Sequence, residues 1–453
     1  MNVKTLLKTL HEETDWRALI FHSSWTLTAT AALSYFFGFV RDRLLAQTFG
    51  LSRTLDIYNA AFVIPDLMLN VLIGTTLSAA FLPIFIKQYD QKRALGNTYA
   101  HQVLSWGLLL MITIGIVVAI TLPGFARYLV PGFEGEDMAQ YVQITRIFLL
   151  SPVLFTLSNT YGRILASKNE FLWYGLSPAL YNMGIVLGII VLVPYFGLNG
   201  LVIGTLIGVV LHLLIRFVMV RGPKFGFRNR LDFHWSPELK ETIKLTMPKI
   251  MQYFMWYVML LSFTNIASIL PEGSVAVYNY ARNFQSIPVS LLGIAIAFAM
   301  YTSLAHDAGR GNFKKFEHDF KNQRFRCVLY TTLAAMALAA FSMPLVRLLL
   351  GGGQFGEDQI ELLSNVIRIY AFAVPLESML HIYHRTYYSI RNTIIPSVSH
   401  AVTTLGIVIA AKILAPTIGI YAIPASFAGG LAVHITILAI IFPFVFRRHM
   451  AMK

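Results

Sequence analysis

The chain has 453 residues, 56% of them hydrophobic and only 13% charged, and its mean hydropathy is +0.62. A soluble protein carries roughly a quarter charged residues, so the composition excludes a soluble domain and predicts an all-α polytopic membrane protein. The net charge of +14 has a topological explanation, given below, that removes nucleic acid as a partner; the single cysteine, Cys327, excludes an internal disulfide and a cysteine-based metal cluster.

From the start, Met1–Arg17 mixes Lys4 and Lys8 with Glu12, Glu13 and Asp15, so no cleavable signal is evident. Its Val3, Leu6, Leu7 and Leu10 suit a short interfacial helix. Twelve spanning helices are predicted, at about 18–40, 56–86, 103–124, 140–166, 176–196, 198–220, 243–270, 274–305, 325–350, 359–388, 394–415 and 420–446. The second, fourth, eighth and tenth are long enough to be tilted, bent or projecting. Pro65, Pro152, Pro288 and Pro375 lie inside these four and should break the local hydrogen-bond ladder.

Positive charge sorts by loop. The N-terminus, the loops after even-numbered helices and the C-terminus hold 27 of the 36 Lys and Arg residues. The positive-inside rule therefore predicts that both termini are cytoplasmic. The acidic loops at Glu134-Gly135-Glu136-Asp137 and Glu357-Asp358 then face outward. Gly222–Lys240 reads as a basic cytoplasmic linker, either a solvated loop or one resting on anionic lipid.

The chain also repeats itself at an offset of about 220 residues. Tyr58-Asn59-Ala60 with Pro65 is echoed by Tyr278-Asn279-Tyr280-Ala281 with Pro288. Gly132-Phe133-Glu134-Gly135-Glu136-Asp137 is echoed by Gln354-Phe355-Gly356-Glu357-Asp358. Arg146, Pro152 and Arg163 are echoed by Arg368, Pro375 and Arg385. This predicts two six-helix halves, 1–220 and 241–453, joined by the linker 221–240. The halves would be related by a pseudo-two-fold along the membrane normal, with a substrate path between them.

The densest charge near a span is Gly38-Phe39-Val40-Arg41-Asp42-Arg43, after the apolar run Ala18–Val40. Charge there must reach headgroups, a wet cavity or a partner. Two readings stand: Arg41 and Arg43 snorkel to lipid phosphates, or they bind a substrate. The motif is followed by Phe49-Gly50, Asp56, Ile64-Pro65-Asp66-Leu67 and Ala80-Phe81-Leu82-Pro83. That order resembles the opening of the MviN/MurJ family, bacterial flippases for the lipid-linked peptidoglycan precursor lipid II. Leu245-Thr246-Met247-Pro248, Leu270-Pro271-Glu272-Gly273-Ser274, Pro288 with Leu292-Gly293, and Gly353-Gln354-Phe355-Gly356 carry the resemblance through the second half. It places the chain in the multidrug/oligosaccharidyl-lipid/polysaccharide exporter superfamily.

The resemblance implies a non-enzymatic, monomeric transporter of the bacterial cytoplasmic membrane, working by alternating access without a cofactor. Its cargo would be a polyprenyl-pyrophosphate-linked glycan, lipid II or another lipid-linked oligosaccharide of the O-antigen or capsule type. A transport-inactive membrane scaffold of the same fold is the rival from a different class.

A pyrophosphate headgroup crossing ~30 Å of hydrocarbon needs cations in a wet cavity, and arginine's fork suits phosphate. Arg41, Arg43 and Arg282 are the candidate headgroup cations, with Asn70 and Asn283 beside them. Asp42 and Asp56 would orient those arginines or close an outer gate by pairing with them; a structural ion pair is the other reading of Arg282. The family's basic positions are Tyr35, Leu69, Asn70 and Asn283 here, and Arg282 precedes the family's arginine position by one residue, about 100° around a regular helix. The chain is also expected to stop at twelve helices, where the family usually adds two more. The headgroup site is thus cation-poor.

Glu377, His381 and His384 share one helical face after Pro375. They could couple transport to a proton gradient, or form a polar packing stripe. Asp66, beside Pro65, is a further candidate for a cation or a broken-helix cap. Coupling to H+, Na+ or the membrane potential all remain open; no metal site is expected, since His381 and His384 have no evident third ligand.

Overall fold

The computed structural model describes residues 23–451. The predicted interfacial helix within Met1–Arg17 and the first residues of the predicted first span lie outside them.

The first part of the chain forms α1 (Ser23–Phe49), α2 (Arg53–Ala61), α3 (Val63–Leu67), α4 (Leu82–Gln91), α5 (Arg93–Leu129), α6 (Gly135–Phe148), α7 (Leu150–Ala166), α8 (Phe171–Leu187), α9 (Val193–Phe196) and α10 (Leu198–Arg221). After an irregular linker come α11 (Pro237–Ser268), α12 (Ser274–Pro288), α13 (Ala295–Arg310), α14 (Phe313–Ala340), α15 (Ser342–Leu350), α16 (Glu357–Ala371), α17 (Ala373–Ser389), α18 (Ile394–Ile418) and α19 (Ala422–Ala451). Among the described residues nine helical runs are long and apolar enough to cross a membrane. A tenth is the pair α14–α15, bent by 67°. The chain is an all-helical, multi-pass membrane protein.

The predicted breaks have a common local cause. Proline removes a donor and clashes with the carbonyl four residues back. Helices accordingly stop at Phe62, Leu149 and Phe372, three residues before Pro65, Pro152 and Pro375. At Pro288 the ladder instead widens into the π-helical turn Val289–Ile294, matching Met68–Gly74 in the first half. The left-handed residues repeat as well: Asn169 and Arg391, and Gly197 and Gly419, are each 222 residues apart, with φ between +53° and +60°. The internal repeat therefore reaches the backbone.

One boundary departs from expectation. The first helix does not end at Val40 but continues through Arg41-Asp42-Arg43 to Phe49. Arg41 and Asp42 neutralise each other within the helix, so the charges need not terminate it. The terminator is Gly50, at φ +59°, whose N–H donates to the Ala46 carbonyl at 2.8 Å.

The chain packs as two compact units. One comprises residues through Leu45, Ile64–Thr121 and Ile144–Lys249; the other comprises Ala46–Val63, Leu122–Gln143 and the described chain from Ile250 onward. In the first unit α8 and α10 meet along small residues. A Cβ on Gly184 would overlap the Cα of Gly208, and one on Gly188 that of Gly204. Such close backbone approach is how membrane helices gain dispersion contacts without a hydrophobic driving force. The linker is pinned to α5: Ser105 accepts the Asp232 N–H at 2.8 Å, Ser236 donates to Gln102 at 2.6 Å, and Trp106 meets Phe233 and Trp235 edge-on.

The second unit takes in 46–63 and 122–143 because these two segments are stitched to the helix ends of 250–453. Gln47 donates to the Gly351 carbonyl at 2.9 Å, the Leu51 N–H to Gln359 at 2.8 Å, and Asn265 to the Tyr128 carbonyl at 2.7 Å. The segments include the acidic loop predicted to face outward.

Candidate functional site

In the first unit, α1 presents Arg41 on a helix interior. Its Nε and Nη2 donate to Asp42 Oδ1 at 2.9 and 2.7 Å, and its Nη1 donates to Asn182 Oδ1 of α8 at 2.8 Å. Asn182 is held in turn by donating to the Ser34 carbonyl at 3.2 Å. Asp42 thus orients Arg41, as its adjacency suggests, while Asn182, 141 residues away, was not legible in the sequence. The Arg41 and Asp42 side chains keep about a quarter of their area open, and Arg43 is likewise half-buried. Asn70 donates to the Asp66 carbonyl one turn back at 3.0 Å; Asp66 itself is exposed.

The same unit holds a buried cation that the sequence reading passed over. Arg216 is 3% exposed. It donates to the Ser158 and Tyr174 carbonyls and to Asn159, and lies over the Tyr174 ring. The signal that could have found it is an arginine inside the apolar run of α10.

In the second unit, Arg282 and Glu377 come together. Arg282 Nη1 and Nη2 donate to the two Glu377 oxygens at 2.9 and 3.2 Å, and Gln285 donates to Glu377 at 2.9 Å. The guanidinium lies against both Trp256 and Phe427, 5.0 and 4.8 Å from the ring centroids, in the corner that these two edge-on rings make. A desolvated guanidinium gains from both a bidentate carboxylate and aromatic quadrupoles. Gln285 lies three residues after Arg282, so helical spacing alone could have flagged it. Asn283 is exposed, and its carbonyl accepts from Ser286 at 2.9 Å.

The face carrying Glu377, His381 and His384 is shared between neighbours. Glu377 meets Arg282 of α12, whereas His384 meets His400 and His434 of the α18–α19 hairpin. Among the described residues no group of His, Cys, Asp and Glu is arranged to hold a metal ion.

Asp56 corrects its expectation. Its carboxylate accepts the Gly273 and Ala276 N–H groups, both at 2.8 Å, it is fully buried, and the arginine it pairs with is Arg53, at 3.9 Å. The physical reason is that the first turn of α12 offers orphan donors and the positive end of a helix dipole. Arg53 completes the cluster. Its backbone N–H donates to Glu272 at 2.6 Å, its guanidinium reaches Asp137 at 3.5 Å, and it lies over Phe133.

This arrangement has partly or fully buried arginines held by polar side chains, and a buried carboxylate capping the first turn of a helix. It sits on a chain matched over residues 45–449 by the family model described as lipid II flippase MurJ. The chain belongs to the MurJ family. A probable lipid II flippase MurJ of Rhizobium meliloti is 27% identical over 357 residues, 76% of this chain and 65% of that protein. One from Bdellovibrio bacteriovorus is 25% identical over 397 residues, 84% of this chain and 74% of that protein. The chain thus spans just under two thirds of the length of the first of these MurJ relatives and about three quarters of the second. The solved structure of a lipid II flippase MurJ in an inward closed conformation superposes with a TM-score of 0.78 at 20% identity, covering 92% of this chain and 87% of that one. An inward-facing multidrug MATE transporter of the MOP superfamily gives 0.75 at 15% identity, over 92% and 95%. At those identities the likeness speaks for the fold; the MurJ model speaks for the family.

Proposed function

We propose that the chain translocates lipid II, a polyprenyl-pyrophosphate-linked peptidoglycan precursor, across the bacterial cytoplasmic membrane by alternating access, as a monomer with both termini cytoplasmic. The observation that carries this reading is the Arg282 cage in a member of the MurJ family. An intramembrane guanidinium is costly to keep and usually functional. Here it is held bidentate by Glu377 and lies against two aromatic rings. Glu377 then occupies the place of the pyrophosphate: both offer paired anionic oxygens, so the substrate competes for the fork and Glu377 is released on binding. Arg41, positioned by Asp42 and Asn182, supplies the first half's cation.

The stitch of 46–63 and 122–143 to the second-half helix ends acts in this reading as the closed outer gate. Asp56 on Gly273 and Ala276 is its buried bolt. Translocation needs no bond broken; the gate must open and the headgroup must leave its arginines. The test is whether the gene restores growth and lipid II export in cells depleted of their own flippase, and whether Arg282→Ala at matched protein level does not.

A transport-inactive scaffold is the second reading. It is favoured by Leu69, Asn70 and Asn283 standing at family cation positions and by both arginines being satisfied within the protein. Failure of the wild-type chain to restore export, with normal membrane insertion, would select it.

A further inference from the structure

The geometry points to a phosphate-binding site in the cavity at the ends of α13, α17 and α19, with Arg391 clamping the anion and Tyr301 donating to it. The cavity holds about 350 Å³ and is lined by Tyr301, Tyr388, Ser389, Arg391, His449 and small residues of α13. That is the low end of the range for ligand sites, with room for a phosphate and its first substituents but not for a glycan chain. The helix ends around it lead into the basic segments 310–326 and 447–448, on the side that the charge distribution predicts to be cytoplasmic.

Arg391 is the informative residue. It follows the last turn of α17 in the left-handed conformation, φ +60°, which glycine and asparagine adopt at least cost. The Ile390, Arg391 and Asn392 N–H groups donate to the carbonyls of Tyr387, Tyr388 and Tyr387 at 3.2, 2.9 and 3.0 Å. In the first half the same cap closes α7: the Lys168, Asn169 and Glu170 N–H groups donate to Leu165, Ala166 and Leu165, each at 3.1 Å. There the left-handed residue is Asn169, at φ +59°. The cap therefore closes without a guanidinium, and the arginine at 391 is accounted for by its side chain. Backbone strain of this kind collects at ligand clamps. The side chain is exposed, borders the cavity, and makes no hydrogen bond or ion pair among the described residues.

The surroundings supply positive charge and donors but no acid. Arg385, half-buried, lies over the Phe298 ring at 4.8 Å and within electrostatic reach of Tyr301 and Tyr388, both of which line the cavity. Asp307, the carboxylate beside the α13 lining, is spent: its two oxygens accept from Lys315 at 3.1 and 3.0 Å. Tyr388 donates to Gln252 at 3.4 Å, whereas the Tyr301 hydroxyl has no hydrogen-bond partner among the described residues. The C-terminal ends of helices favour cations, but the Asn169 cap shows that such an end needs none at this position. A guanidinium fork beside an uncommitted hydroxyl suits phosphate, whose oxygens can take the fork and the hydroxyl at once. That phosphate can belong to a lipid headgroup of the adjacent leaflet or to a soluble phosphate compound.

The test uses the full chain in detergent, titrated by calorimetry with inorganic phosphate and, separately, with short-chain phosphatidylglycerol. Chloride and phosphatidylcholine are the controls. The expected result is saturable binding of at least one phosphate ligand: phosphatidylglycerol alone assigns the site to a lipid headgroup, and inorganic phosphate assigns it to phosphate itself. Arg391→Asn, which installs the residue that the first half carries at the same cap, should weaken that binding at least about tenfold, as loss of a charge-assisted contact does. Its melting temperature without ligand should equal or exceed that of wild type, since the backbone strain is relieved. A purely structural Arg391 predicts the reverse, a lower melting temperature and unchanged binding. Tyr301→Phe should weaken binding as well, and serves where Arg391→Asn does not fold. No saturable binding to the wild-type chain, or binding that both variants leave unchanged, would overturn the proposal. No step of this experiment depends on lipid II, so its failure is distinct from failure of the flippase reading.

Discussion

Arg282 turns both of its terminal nitrogens toward the two carboxylate oxygens of Glu377, at 2.9 and 3.2 Å, from a helix 95 residues earlier in the chain. The residue singled out as a headgroup cation and the one singled out for proton coupling are partners. Each therefore sets the chemistry available to the other.

Removing one member of this pair should be worse than removing both. An uncompensated buried charge costs about 3–5 kcal/mol, whereas an apolar replacement of the pair is often neutral. Glu377→Ala should lower thermal stability markedly, and Arg282→Met with Glu377→Leu should recover most of the loss. A thermal-unfolding double-mutant cycle in detergent checks this; additive losses would show that the two side chains are not coupled.

The arginines should separate by chemistry as well as charge. Arg41→Ala and Arg282→Ala should each reduce export of labelled lipid-linked precursor more than ~10-fold, equivalent to ~1.4 kcal/mol. Lysine at either position should rescue only partly, because it lacks the bidentate fork. Wild-type export by the double alanine variant at matched expression would remove both from the headgroup site.

Asp56→Ala should loosen the stitch on the face predicted to be outward. Two buried N–H groups lose a charged acceptor, a change of about 2 kcal/mol, or roughly 30-fold in an opening equilibrium. In a Cys327→Ser background, a cysteine at Leu51 should become more reactive to a membrane-impermeant maleimide. An unchanged labelling rate would mean that Asp56 does not hold this segment closed.

Gly188→Leu should disrupt the α8–α10 contact, since even a Cβ there overlaps Gly204. Overpacking of this kind costs about 1–3 kcal/mol or more. Gly406, where a Cβ meets nothing within 4 Å, serves as the control, and Gly406→Ala should leave the melting temperature near wild type. Equal melting temperatures for Gly188→Leu and wild type would contradict the packing.

Much was readable without coordinates because it is local. Apolar runs of spanning length, proline's missing donor and the repeat of about 220 residues depend only on neighbours along the chain. They gave the helical membrane class and the breaks before Pro65, Pro152 and Pro375, while twelve spans were expected where nine or ten helical runs among the described residues are long and apolar enough to cross. Arg41 with Asp42, and Gln285 near Arg282, were within reach for the same reason.

The partners were not. Arg41 finds Asn182 across 141 residues, Asp56 finds Gly273 across 217, and His384 finds His400 and His434 on two other helices. Hydropathy and helical period say which face of a helix is polar but carry no term for which other helix will meet it. The sequence alone determined a helical, multi-pass membrane protein whose chain echoes itself at an offset of about 220 residues. Only tertiary packing decided that Glu377 occupies Arg282, that Asp56 caps a helix at Gly273 and Ala276 with Arg53 beside it, and that three histidines share one buried place. Each of those choices satisfies a buried donor or charge with whichever acceptor the fold brings within about 3 Å, and that proximity does not exist until the helices have packed.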